Sequence, residues 1–298
     1  MPVRQLSTLR KVGESAVDDA TETVRSLLQV RIRHAIGVKG TPPPICVDPE
    51  TSYLSPQSAT RLIHGDLASM LVGGIASLLL QMLHPLTMTG VAQHSRYRED
   101  PLGRLARTAA FVRATTFGSV AEANEALERV RSVHSRVSGV ADDGRTYSAN
   151  DPHLVEWVHV AELSMFLAAS RAYGPRVVTE RDADRYVDEM ARIASELGVQ
   201  HPPRAEREML SRLEGYRPEL HLIEAGREAR DFVLRGVSQA PQRRLAHTTL
   251  AQAAVGVLPA WARRGLDLDD GSIVQRIAVR PGAMALCLAL RFAVPPAT

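Results

Sequence analysis

The chain has 298 residues, 45% of them apolar and 4% aromatic, with 36 basic and 33 acidic side chains and a net charge of +3. That length and apolar content can bury a sizeable core and exclude a chain disordered throughout. The near balance of charge excludes an electrostatic track for nucleic acid. Two cysteines, Cys46 and Cys287, are too few for a disulfide framework or a thiolate cage, although one long-range bridge stays open.

Recurrent Ala, Leu, Val and Arg with few aromatics predict an all-α protein packed through aliphatic faces. Met1 to Asp19 has no apolar stretch behind its basic residues, so no secretory signal is expected and the expected location is cytoplasmic. A first helix is predicted from Asp18 to Ala35, followed by a proline-rich loop from Thr41 to Pro49. Residues 1–54 are therefore expected to form a variable arm, and 55–298 one large helical domain.

Ser55-Pro56 provides a helix start, and an apolar run carries the predicted helix to His84-Pro85. Within it, Leu67 to Leu83 carries Ser69, Gly73, Gly74, Ser77 and Gln81 and falls short of a membrane span of about 20 residues. A buried core helix is expected there, and no integral membrane segment. Asp100-Pro101 opens the next helix, to Phe117, with Gly118 as its stop. Ser119, with Glu122 three residues on, forms a capping box that starts a helix reaching Ser138.

Asp142 to Tyr147 has Asp-Gly turn chemistry and predicts a minor β-hairpin. Further helices are expected at Pro152 to Tyr173, Thr179 to Leu197, Ala205 to Leu213, Glu224 to Arg235, Arg244 to Arg263 and Pro281 to Phe292.

The chain has ten histidines, and helix position separates them. On the Ser119 helix Ala123, Leu127, Val130, Val133 and Val137 form an apolar stripe, and His134 falls inside it, which predicts a core-facing imidazole. Such a ring is either a hydrogen-bonded core histidine or a metal ligand, and the pattern leaves both open. His84, at the end of the buried helix, is the second candidate. Arg104 and Thr108, four apart, share a helix face, with Arg107 turned away beside them. Such a pair can anchor a carboxylate or help to hold oxygen, or simply be solvated.

Glu156-Trp157-Val158-His159 is the unit of ferritin-like di-iron sites, but no second Glu-x-x-His occurs, so a di-iron centre is not expected. Dinucleotide, Walker, zincin and nucleophile-elbow motifs are absent.

From Gly65 to His159 an ordered set of signatures resembles the catalytic domain of the MpaB oxygenases and latex-clearing proteins, or rubber oxygenases. They are Gly65-Asp66, Gly73-Gly74, Gln81-x-x-His84-Pro85, Gly90-Val91-x-x-His94-Ser95, Asp100-Pro101-x-Gly103-Arg104-Leu105-x-Arg107-Thr108, Phe117-Gly118 and Arg129-Val130-Arg131-x-Val133-His134-x-x-Val137. Asp151-Pro152 with Trp157-Val158-His159 follows.

The resemblance implies a globin-like pocket for a b-type haem, with iron on His134 and with Arg104, Thr108 and the basic residue Arg107 beside it as catalytic candidates. His84, His94 and His159, within the same motifs, join the cofactor-binding candidates. It further implies an oxygenase that uses O2 on an apolar small molecule, with C=C cleavage among its reactions and an unidentified reductant as a further partner.

Two positions depart from the family. Rubber oxygenases carry lysine where Arg107 stands, and arginine stays protonated and cannot cap iron. They also use a glutamate on the helix ahead of the Arg and Thr pair, whereas Leu67 to Arg98 contains no acidic residue. A haem carrier or gas sensor without turnover, and an iron-free helical interaction protein, are the alternatives. Substrate, oligomeric state and distal ligand are left open by the sequence.

Overall fold

A computed structural model describes residues 22–32, 44–237, 240–268 and 279–297. In chain order its helices are α1 (22–32), α2 (Ala59–His64), α3 (Leu67–Gln81), α4 (Pro85–His94), α5 (Pro101–Phe117), α6 (Val120–His134), α7 (Pro152–Tyr173), α8 (Glu180–Glu196), α9 (Glu206–Gly215), α10 (Glu224–Arg235), α11 (Pro241–Val257), α12 (Ala260–Gly265) and α13 (Arg280–Ala293), with a 3₁₀ turn at Arg217–Glu219. Among the described residues the sole sheet is a hairpin of β1 (Ser138–Val140) and β2 (Thr146–Ser148), antiparallel with Gly139 opposite Tyr147. The fold is all-α, as the composition predicts.

Short polar side chains set most helix starts. Asp100 caps α5 by accepting from Gly103 N, Ser119 and Glu122 form the expected capping box on α6, and Thr179 with Asp182 does the same for α8. The expected Asp18 to Ala35 helix is helical over 22–32, and the rest of it lies outside the described residues.

The long helix expected from Ser55 to His84 is two helices. Ser58 caps α2, and Asp66 then starts α3 by accepting from Ser69 N. Pro85, expected to end a helix, instead occupies the first turn of α4, where its missing N–H is no loss. α6 ends at His134 rather than Ser138, because Ser138 to Val140 pairs with β2. The helix expected from Arg244 to Arg263 begins earlier, at Pro241, and is broken by Pro259 into α11 and α12.

The core centres on α3 lying along α7. A Cβ on Gly73 would stand 2.6 Å from Phe166 Cδ1 and 3.0 Å from its Cα, so only glycine lets these two backbones come so close. Leu79, Leu80, Trp157, Leu163 and Leu167 fill the surroundings and are fully buried. α11 and α13 cover another side of α3, while α8 packs on α2 and α9 on α7.

The C-terminal helix is tied in by charge. Arg291 Nε and Nη2 donate to the two carboxylate oxygens of buried Asp66 at 2.8 and 2.7 Å, and Arg291 also donates to Tyr173 O. Residues 44–54 of the expected arm also join the body: Cys46 N donates to Phe117 O, Val120 N to Thr51 O, and Tyr53 and Leu54 enter the core. Cys46 and Cys287 are both free thiols.

No single described helix is long and apolar enough to cross a membrane. α3 and α4 together reach that length but are bent by 105°.

Candidate functional site

α5 and α6 form a helical pair joined at Gly118-Ser119, with α5 seated on α2. Arg104 lies 14 residues before Gly118 and His134 lies 15 after Ser119. At 1.5 Å per residue along its own helix, Arg104 stands roughly 21 Å and His134 roughly 22 Å from the turn.

The inward row of α6 runs through Ala123, Ala126 and Leu127, all buried, to Val130 and His134, both partly buried. Val133, expected on that row, is 47% exposed, so the stripe is narrower than the sequence suggested. His134 sits in the last turn, and its ring has no hydrogen bond among the described residues. Desolvation lowers its pKa, so the imidazole is neutral at pH 7 with a lone pair to give.

Arg104 is partly buried. Its Nη1 donates to Ser95 Oγ at 3.0 Å, and no carboxylate pairs with it among the described residues. Burial lowers its pKa, a sign that the guanidinium is desolvated without an anion to offset it, although arginine keeps its charge. Thr108 donates its hydroxyl to Arg104 O at 3.2 Å, one turn back along α5. Arg107 faces solvent and pairs with Asp100 at 3.1 Å.

Elsewhere, α3 leaves an apolar row uncovered. Leu71, Gly74 and Ile75 are partly buried and Leu78 is exposed, at the i, i+3, i+4, i+7 spacing of one helix face. A Cβ on Gly74 would meet only the Phe166 ring, at 3.9 Å, so this row is flat and open at its middle.

On α7, Val158 and Glu162 are partly buried and four residues apart. Burial pushes the Glu162 carboxyl up to about 7, and no cation offsets it. His159 beside them is buried with its Nε2 unpartnered, and burial lowers its pKa to about 4. Sequence reasoning looked for an acid only between Leu67 and Arg98 and missed Glu162. The signal was present, because Glu162 is the only charged side chain from Trp157 to Ser170.

The remaining candidate histidines have protein partners. His94 Nε2 is 3.1 Å from Tyr147 Oη. His84 caps α4 through a 3.5 Å contact from Thr87 N to its Nδ1, and its Nε2 faces Glu219 at 3.6 Å. Thus His134, Arg104 and Thr108 stand on one helical pair, His159 and Glu162 on the central helix, and His84 at the start of α4.

The donor set suits a b-type haem. The group needs a neutral imidazole for iron, flat apolar walls for the ring and cations for its carboxylates. His134, the Leu71 to Leu78 row and Arg104 answer these needs in turn.

Among families of known proteins, residues 61–292 match the model described as the ER-bound oxygenase mpaB/B′ and rubber oxygenase catalytic domain. No curated protein and no solved structure matches the chain.

Proposed function

The chain belongs to the MpaB and rubber oxygenase catalytic-domain family, and we propose that it is a haem-dependent oxygenase that holds a b-type haem through His134 and acts with O2 on an apolar small molecule. The observation that carries this reading is the His134 ring, neutral and without a hydrogen bond, on the same helical pair as a desolvated Arg104 that lacks an acidic partner. When bound, the haem supplies the oxygen chemistry that side chains cannot.

The chain's own residues then position and protect. Arg104 gives its charge to an anionic group, either a haem carboxylate or negative charge developing on the substrate, in a setting where desolvation strengthens that attraction. Thr108 spends its proton on Arg104 O, one turn back, so its hydroxyl oxygen is left as an acceptor. The α3 row and Val158 exclude water and favour an apolar substrate.

Glu162 can hold or release a proton near neutral pH, because burial has brought its carboxyl to about 7. In this reading Glu162 takes the role of the acid that the family carries on the helix ahead of the Arg and Thr pair. Arg107, paired outward with Asp100 and permanently protonated, serves as a surface cation rather than a ligand.

Oxygen uptake by haem-replete protein, with a reductant and a panel of apolar alkenes and lipids, tests the reading. Uptake that requires one class of these compounds and falls in the Glu162→Gln variant is expected. Reversible O2 binding without substrate-dependent consumption would instead establish a carrier or sensor.

A further inference from the structure

Away from His134, three elements bring two imidazoles and a carboxylate together. His84 precedes α4, His153 lies in the first turn of α7, and Glu219 ends the 3₁₀ turn. His153 Nε2 lies 3.0 and 2.9 Å from the two Glu219 oxygens, His84 Nε2 lies 3.6 Å from Glu219 Oε2, and one ligand atom from each residue falls within 4.8 Å of the others. Four ligands at 2.0–2.1 Å from a tetrahedral zinc ion stand about 3.3 Å apart, so each histidine already lies near shell distance from Glu219, and the two histidine nitrogens, within 4.8 Å of each other, need only a small approach.

The framework holds them there. His221 N donates to Leu83 O at 2.8 Å, which fixes the end of the 3₁₀ turn against the residue before His84. The His84 ring lies 5.8 Å from Trp157 and 6.4 Å from Tyr216, and the His153 ring 4.6 Å from Tyr216. His84 is 1% exposed, yet its Nε2 has no hydrogen bond and is directed at Glu219, whereas the His153 and Glu219 side chains are 50% and 38% exposed. One ligand is therefore sealed and two are reachable from solvent, which gives an ion an entry path and leaves its fourth position to water.

Two features oppose a cation. Arg145 lies close enough for its charge to be felt at His84, but it is paired with Asp143 at 2.7 Å. Ligation through Nε2 also places the His84 proton on Nδ1, facing Thr87 N. That contact is only 3.5 Å, at the outer limit of a hydrogen bond, and the Thr87 hydroxyl is itself buried with no partner, an unused acceptor on the same residue.

We propose that His84, His153 and Glu219 form a binding site for a divalent transition-metal ion of the zinc type, with three protein ligands and one open position. The set matches the two-histidine, one-carboxylate pattern used for zinc and for iron(II). This site does not depend on the haem reading.

The test is calorimetric titration of ZnCl2 into the full-length protein after treatment with a chelator, repeated with His153→Ala, Glu219→Gln and His134→Ala. One zinc per chain is expected for the wild type and for His134→Ala, with affinity lowered at least about tenfold in the other two. Zinc should also raise Tm in the wild type and not in His153→Ala. His153 is half exposed, so its loss leaves the fold intact. Absence of stoichiometric zinc binding, or equal affinity in the wild type and His153→Ala, overturns the site, and neither result bears on whether haem is bound.

Discussion

The α3 and α7 interior and the α5 and α6 flank treat polar groups in opposite ways. In the interior His64 and the charged groups are paired: Thr116 Oγ1 and Tyr186 Oη each lie 3.0 Å from a nitrogen of the buried His64 ring, and Asp66 takes two bonds from Arg291. On the flank, and on the edge of α7 that carries Glu162 and His159, polar groups are left short of partners. Burying a polar group unpaired costs more than any single bond returns. Trp157 Nε1 in the interior is also buried without a partner, so what sets the flank apart is that its unpaired groups carry charge or exchange a proton near neutral pH.

The sharpest way to break this contrast is to unpair an interior group. Asp66→Ala removes the cap of α3 and strands Arg291, and should lower unfolding stability by about 3–5 kcal/mol in urea denaturation. The haem affinity of the folded fraction should stay unchanged. A joint loss of haem affinity would mean that the two regions are one energetic unit.

Glu162→Gln sharpens the contrast from the other side. Its carboxyl binds a proton up to about pH 7 in the fold but only to its ordinary 4.5 when unfolded. The native state is therefore favoured fully below pH 4.5 and loses that advantage as pH rises through 7. The variant should match the wild type near pH 4.5 and exceed it by about 1–3 kcal/mol above pH 7.5. A difference that does not change with pH would show that Glu162 is not held protonated.

Arg104→Leu removes a desolvated charge that no acid offsets. Stability should hold while haem affinity falls about tenfold, roughly 1.4 kcal/mol, in a haem-transfer assay. The smallest effect is expected at Arg107, whose exposed pair with Asp100 contributes little, so Arg107→Ala should shift stability by no more than about 0.5 kcal/mol.

Caps and prolines made most of the fold legible in the sequence. The starts of α5, α6 and α8 and both ends of α7 and α10 fall where Asp100, Ser119, Thr179, Asp151 and the local pattern put them. Pro85 misled, because the same residue ends one helix or begins the next, and only tertiary packing decides which. Of the proposed site, His134, Arg104 and Thr108 could be named from the sequence, because they share motifs or a helix face. Glu162 and the His84, His153 and Glu219 cluster were not, since helical periodicity does not report which elements meet across 66 residues of chain between His153 and Glu219.

The central claim is that His134 is left unpaired in order to hold iron. The most direct test is the visible spectrum of the purified protein, oxidised and dithionite-reduced, beside a His134→Ala variant whose helical circular dichroism is unchanged. A Soret band in the wild type that is lost in the variant, with affinity down more than about 100-fold, is the predicted result, beyond what outer-shell partners of a metal contribute. A variant that retains its haem, or a wild type that stays colourless after haem reconstitution, would contradict it.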